Sequence, residues 1–224
     1  MICSAAASIE LKKQKINELN VFPVPDGDTG TNMSMTLGAA ATELRRKPDV
    51  TLTKAADVAA SALLRGARGN SGVILSLLFR GFSKALKGME QADGRDFAAA
   101  LTAGVEAAYK AVMKPAEGTI LTVSRLTAVA ARDLAEEDHG IESVLAAAIP
   151  VAKAALDNTV NQNPVLKKAG VVDAGGMGFV VILEGMLSSL QGNDIVADES
   201  AAVNEQADFA EFDSEDITFA FDTV

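Results

Sequence analysis

The sequence predicts an all-α fold of eight helices, and three observations carry that prediction. Apolar residues between Met1 and Gln191 recur at helical spacing, no segment of that body alternates as a strand does, and the interruptions fall on turn or capping residues. Composition agrees, because 49% hydrophobic but only 4% aromatic residues, with no Trp and one Tyr, suit an Ala-rich core of closely packed helices. At 224 residues and 23.2 kDa the chain can bury such a core without a staple.

The predicted helices run 2–19, 30–46, 53–67, 71–87, 94–113, 119–137, 141–158 and 176–191. The first ends at the Pro- and Gly-restrained run PVPDGDTG, the second at Pro48-Asp49, the third at GARGN and the fourth at GMEQADG. KPAEG, EDHG and QNPVLKKAGVVDAG close the fifth, sixth and seventh. Leu101, Val105, Ala108 and Val112 mark the apolar stripe of the fifth, and Val58, Ala62 and Arg65 show where the third turns from core to site. In an antiparallel arrangement the even-numbered helices, starting near 30, 71, 119 and 176, place their N-termini at one end.

Beyond Gln191 the character changes. Residues 193–224 hold ten acids and neither Lys nor Arg, so the net charge of −10 belongs to this segment and leaves residues 1–192 neutral. That balance argues against nucleic-acid binding by the acidic segment and says little about the body; no nucleic acid is expected as a partner. Ile217, Phe219 and Phe221 alternate with Thr218, Ala220 and Asp222, which reads as a lone strand. A strand needs a sheet, so residues 1–192 are expected to form one unit and 193–224 an acidic linker with the start of a following domain.

The single cysteine, Cys3, excludes an internal disulfide and a Cys-cluster zinc site, and the single histidine, His139, leaves little scope for His-based metal or triad chemistry. His139 sits in the polar turn Glu-Glu-Asp-His-Gly and reads as a solvated loop residue. No apolar run reaches the roughly 18 residues of a transmembrane segment, and no leader is evident, so a cytoplasmic location is expected.

The strongest chemical feature is Asn20-Val-Phe-Pro-Val-Pro-Asp26-Gly-Asp28-Thr-Gly-Thr-Asn32-Met33. Two carboxylates two residues apart repel each other when unpaired but suit Mg²⁺, which takes oxygen ligands and leaves positions open for phosphate. A tight turn with solvated acids is the alternative. Thr29-Gly-Thr-Asn then leads into a helix whose first turn offers free N–H groups to phosphate. Gly66-Ala-Arg-Gly-Asn-Ser-Gly72 stands in the same position before the fourth helix, with Arg65 and Arg68 as charge partners or, alternatively, with Asn70 or Ser71 as an ordinary N-cap. Glu117-Gly-Thr119 and Asp173-Ala-Gly-Gly176 are further cap-like loops. No Walker-type G-x-x-x-x-G-K-[ST] is present, which excludes a P-loop scaffold.

Taken together and in order, NVFPVPDGDTGTNM at 20–33, GARGNSGVILS at 66–76, EGTILTV at 117–123 and DAGGMGF at 173–179 make residues 1 to about 192 resemble a known nucleotide-binding domain. It is shared by the dihydroxyacetone kinase L subunit (the DAK2 or DhaL-type domain) and, more closely, by the N-terminal domain of bacterial fatty acid kinase. The resemblance implies an eight-helix barrel with Mg²⁺ and ATP or ADP at one end. It matches Asp26 and Asp28 to the metal-binding, catalytic aspartates, and Asn20 to a further ligand position held by an acid in the dihydroxyacetone kinases. Thr29, Gly30, Thr31 and Asn32 would lie by the phosphates; Asn70, Ser71, Gly72, Thr119, Asp173, Gly175 and Gly176 would enclose the nucleotide. Relatives carry about a dozen residues before the position of Met1, so a shortened first helix is expected.

The activity so implied is Mg·ATP-dependent phosphorylation of a fatty acid presented by a separate, DegV-like fatty-acid-binding protein. Two alternatives stand beside it: the nucleotide subunit of a dihydroxyacetone-type (glycerone) kinase, and a regulatory module whose bound ADP never turns over. Whether the chain forms a homodimer is left open by the sequence.

Overall fold

The computed structural model describes residues 1–196, and among them every regular element is a helix. In chain order these are α1 (Ile2–Glu18), α2 (Thr29–Arg45), α3 (Leu52–Gly66), α4 (Gly69–Ala85), α5 (Gly94–Ala111), α6 (Ile120–Leu134), α7 (Ile141–Asp157), α8 (Thr159–Gln162), α9 (Pro164–Ala169) and α10 (Ala174–Leu190). The eight long helices are the eight predicted, with ends displaced by a turn or less. The two short ones, α8 and α9, occupy what the sequence presents as a plain connection. There the Asn163 side chain accepts the Val165 N–H at 2.9 Å, Pro164 takes the first helical position, and Gly170 stops the turn at φ 69°. The strand-like ending at 217–224, and with it the second domain expected there, lies outside the described residues.

Each long helix packs on the next, and α10 closes the ring by packing on both α7 and α1, which makes the bundle a barrel. Capping fixes several starts: Thr51 accepts the Lys54 N–H before α3, and Asp93 and Asp96 exchange N–H bonds at 3.0 and 3.1 Å before α5. α10 is apolar on nearly every side, with Ala174–Gly176, Gly178–Leu183, Gly185 and Met186 all buried, as a helix enclosed by neighbours requires. The core is Ala-rich with Leu and Ile at its centre, including Leu63, Leu121 and Ile182. Each such large side chain contributes about 1.5–3 kcal/mol on burial. Small residues let backbones approach, most clearly where α4 crosses α5: a Cβ on Gly104 would lie 2.5 Å from the Leu78 carbonyl oxygen. No described helix is long and apolar enough to cross a membrane.

Because neighbours in the ring run antiparallel, the N-termini of α2, α4, α6 and α10 gather at one end. His139, in the α6–α7 connection, is at the other end, exposed, with its carbonyl accepting the Gly94 N–H at 2.6 Å.

Candidate functional site

The four gathered N-termini open on one cavity of about 460 Å³. Its polar side is made by Asn20, Asp26, Asp28, Thr29 and Asn32 from the α1–α2 segment, by Gly69, Asn70 and Ser71 at the start of α4, and by Thr119, Asp173 and Gly175 at the starts of α6 and α10. Phe22, Val24, Val73, Ile74 and Val112 supply an apolar side. One volume thus offers hydrogen-bonding groups at one wall and a surface for a flat apolar ring at another, the usual composition of a small-molecule site.

The diacid loop is shaped by its own sequence. Gly27, at φ 68° with nothing within 4 Å of where a Cβ would stand, is required for conformation and not for space. Asn20, only 6% exposed, donates its Nδ2 to Asp26 Oδ1 at 2.5 Å, so in this structure it orients the first carboxylate. Asp28 is the N-cap residue of α2 but makes no side-chain capping bond, which leaves its carboxylate turned to other uses. Among the described residues no three His, Cys, Asp or Glu side chains gather as a closed metal cage. Two carboxylates and an amide oxygen are instead a donor set for a hard cation whose remaining positions belong to water and phosphate, the habit of Mg²⁺.

The four N-termini are not equivalent. α6 and α10 are capped by their own residues: Thr119 Oγ1 accepts the Leu121 N–H, and Asp173 Oδ2 accepts the Gly176 N–H at 2.7 Å. The N-cap residues of α2 and α4, Asp28 and Arg68, make no side-chain capping bond, and although Asn17 of α1 takes the Thr31 N–H of α2, the remaining first-turn N–H groups and the positive end of each dipole are left to an anion. Asn70 and Ser71 therefore do not cap α4; they lie inside its first turn.

Four of the residues expected around the nucleotide do not line the cavity, and packing explains each. Thr31 faces α1, where its hydroxyl accepts Asn17 Nδ2 at 3.0 Å and its N–H donates to Asn17 Oδ1 at 3.1 Å. Gly30 lies so close to α1 that a Cβ would overlap the Lys13 carbonyl oxygen. Gly72 meets Thr36 of α2 in the same way, and Gly176 packs towards Val123 and Leu156. These residues set the distance between helices that carry the cavity wall. Arg65 and Arg68 are also absent from the lining, where Lys114 is the one cation among the described residues.

Sequence reasoning missed Asn17, Gly69 and Lys114. A signal existed for Asn17, which stands three residues before Asn20 and so shares its side of the α1 terminus. Lys114 follows Val112 in a loop with no helical or strand period, and nothing in the sequence aims it at the site.

Asp173 has the most perturbed carboxyl of the described chain. Burial, at 5% exposure, pushes it up to about 6, against the opposing effect of N–H bonds from Gly176 and Ile120. It joins the starts of α10 and α6, and its own N–H donates to Thr159 Oγ1 at 3.0 Å.

The DAK2 domain family matches residues 23–188 of this chain. Protein YloV of Bacillus subtilis (strain 168) is 43% identical over 231 residues, an uncharacterised protein of Staphylococcus saprophyticus 43% over 229, and one of Staphylococcus aureus (strain USA300) 40% over 229. Each aligns with 100% of this chain but 42% of its own length, so the chain spans about two-fifths of the relatives it matches. With a family match over most of the described residues and relatives at this identity, the chain belongs to the DAK2 domain family, the ATP-binding domain of DhaL-type kinases.

Proposed function

We propose that this domain binds Mg·ATP in the cavity and transfers its γ-phosphoryl group to the carboxylate of a fatty acid held by a separate, DegV-like protein, giving an acyl phosphate and ADP. One observation supports this above the others: two carboxylates and two helix N-termini whose own N-cap residues leave them open face the same cavity in a chain of the DAK2 family. Asp26 and Asp28, with Asn20 beside them, are the residues that hold the metal. Mg²⁺ bound there supplies charge neutralisation between the phosphate oxygens.

The chain's own groups do the rest. Asn20 orients Asp26, and the N–H groups at the starts of α2 and α4 offer dipoles to the phosphates, with Thr29, Asn32, Asn70 and Ser71 beside them. The apolar side, with Phe22, Val73 and Ile74, accepts the base. In the transfer a carboxylate oxygen forms a bond to the γ-phosphorus, the bond from that phosphorus to the β–γ bridging oxygen breaks, and its electron pair leaves on ADP. No proton has to be removed. A carboxylate acceptor needs no general base, whereas an alcohol such as dihydroxyacetone must lose a proton to one, for which this cavity offers the carboxylates Asp26, Asp28 and Asp173 and no histidine.

The test is ADP release with ATP and Mg²⁺ in the presence of a fatty-acid-loaded carrier protein or of dihydroxyacetone with its substrate subunit. Release with the first alone supports the proposal. Release with the second alone makes the chain a glycerone kinase subunit, and tightly kept ADP without turnover in either makes it a regulatory module.

A further inference from the structure

The cavity wall between α5 and α6 is held in an unusual way. Val112, Lys114, Ala116 and Thr119 line the cavity, yet the segment between them is open to solvent, with Met113 98% exposed. Apolar burial therefore does little to fix it. Its anchor is a polar cluster centred on Glu117. Tyr109 Oη donates to Glu117 Oε1 at 3.1 Å, while Thr122 Oγ1 and Arg125 Nη2 donate to Oε2 at 2.7 and 2.8 Å. Arg125 Nε also donates to Tyr109 Oη at 3.2 Å, and the Gly118 N–H donates to Thr122 Oγ1 at 2.8 Å. The cluster ties the end of α5 to the first two turns of α6 across the loop. Gly118, at φ 72°, backs on α8 and Asn163, where a Cβ would lie 2.9 Å from Gln162 Cβ. Partial desolvation opposes ionisation of Glu117, but the bonds from Thr122, Arg125 and Tyr109 outweigh it and hold the carboxyl below the usual range.

We propose that Glu117, with Tyr109 and Arg125, is a positioning cluster that sets the nucleotide affinity of the cavity by holding the 112–119 wall in place, without touching the nucleotide. An exposed ion pair contributes little to global stability, since Glu117 and Arg125 are 49% and 42% exposed. Its effect is local order: a wall that is already fixed costs less entropy to close on a ligand. The inference rests on the nucleotide reading above.

Tyr109 makes it measurable, because the chain has one Tyr and no Trp, and so emission excited at wavelengths longer than phenylalanine absorbs reports this cluster alone. The experiment compares binding of Mg·ADP to the full chain and to Glu117→Ala, Glu117→Gln and Tyr109→Phe, with melting temperature and acrylamide quenching of Tyr109 emission recorded for each variant that retains the tyrosine. Glu117→Ala is expected to weaken binding about tenfold with little change in melting temperature. Glu117→Gln, whose amide still bridges Tyr109 and Thr122, stays within about threefold of wild type, and Tyr109→Phe falls between them. Quenching in the wild-type chain drops when Mg·ADP binds. Alanine and glutamine variants that bind as wild type does, or that lose affinity equally, overturn the proposal. If Glu117→Ala does not fold, Tyr109→Phe decides, and unchanged affinity there overturns it. A wild-type chain that binds no nucleotide sinks the functional reading first, which separates the two failures.

Discussion

Asp173 provides a sharp test of the buried geometry at the head of α10. Its carboxyl stands at about 6 in the folded chain against an ordinary value of 3.8. Because the raised value means that the native state holds the proton more tightly than the unfolded chain, the stability this group contributes is complete below about pH 3.8 and is lost as pH rises through about 6. Above that it is flat. At 1.36 kcal/mol for each pH unit separating the two values, the full loss is roughly 3 kcal/mol, of which about 2 kcal/mol falls between about pH 4.5 and pH 7.5. Asp173→Asn cannot titrate. Its amide keeps one oxygen for the Gly176 N–H but turns a second donor on the Ile120 N–H, which lowers stability by about 1–3 kcal/mol at low pH. Urea denaturation of both proteins at several pH values cancels the other carboxylates and isolates the difference. The stability of wild type minus that of the variant should fall by about 2 kcal/mol from pH 4.5 to 7.5, passing through zero where the difference at pH 4.5 is smaller than that. A difference that stays constant, or moves in the variant's disfavour as pH rises, refutes the burial of this carboxyl and the tie between α6 and α10 built on it.

Other outcomes follow from the contacts around the diacid loop. Gly30→Ala forces a Cβ onto the Lys13 carbonyl and is expected to cost about 1–3 kcal/mol in denaturant unfolding. Gly38→Ala, in the same helix with nothing within 4 Å of its Cβ, should stabilise by about 0.5–1 kcal/mol; equal effects would mean that α1 and α2 are not in close contact. Asn17→Ala removes both bonds to Thr31 and should weaken Mg·ATP binding several-fold in calorimetry, and unchanged affinity would detach the α1 terminus from the site. Lys114→Ala should weaken ATP binding more at low salt than at about 0.5 M salt, a contrast that disappears if this exposed cation does not face the phosphates.

Much of this was legible in the sequence because the fold repeats one strong signal. Helical periodicity with Gly, Pro and Asp punctuation marked all eight long helices, and alternation of direction then placed four N-termini at one end. The two short helices escaped because four to six residues hold too little period to be seen, although Asn163-Pro164 is a good start signal. The candidate site was legible as segments and not as side chains. Loop motifs said which stretches approach the cavity, but Thr31 and Gly30 turn towards α1, and Gly72 towards α2, because close helix packing claims them. Which N-termini are free was likewise hidden, since Thr119 and Asp173 cap their own helices while Asp28 does not. The clamp on Glu117 joins Tyr109 to Arg125 across a loop, a pairing that only the antiparallel hairpin of α5 and α6 creates.

A Mg²⁺-dependent nucleotide site built on the diacid loop stands or falls with titration calorimetry of this chain with ATP, with and without Mg²⁺. Asp28→Asn serves as the perturbation and Asp138→Asn as its counterpart, the latter exposed in the α6–α7 connection at the far end of the barrel. Binding is expected to require Mg²⁺, to fall at least about tenfold in Asp28→Asn and to be unchanged in Asp138→Asn. Binding that is indifferent to Mg²⁺, or weakened equally by the two substitutions, would mean that the diacid loop does not hold the metal.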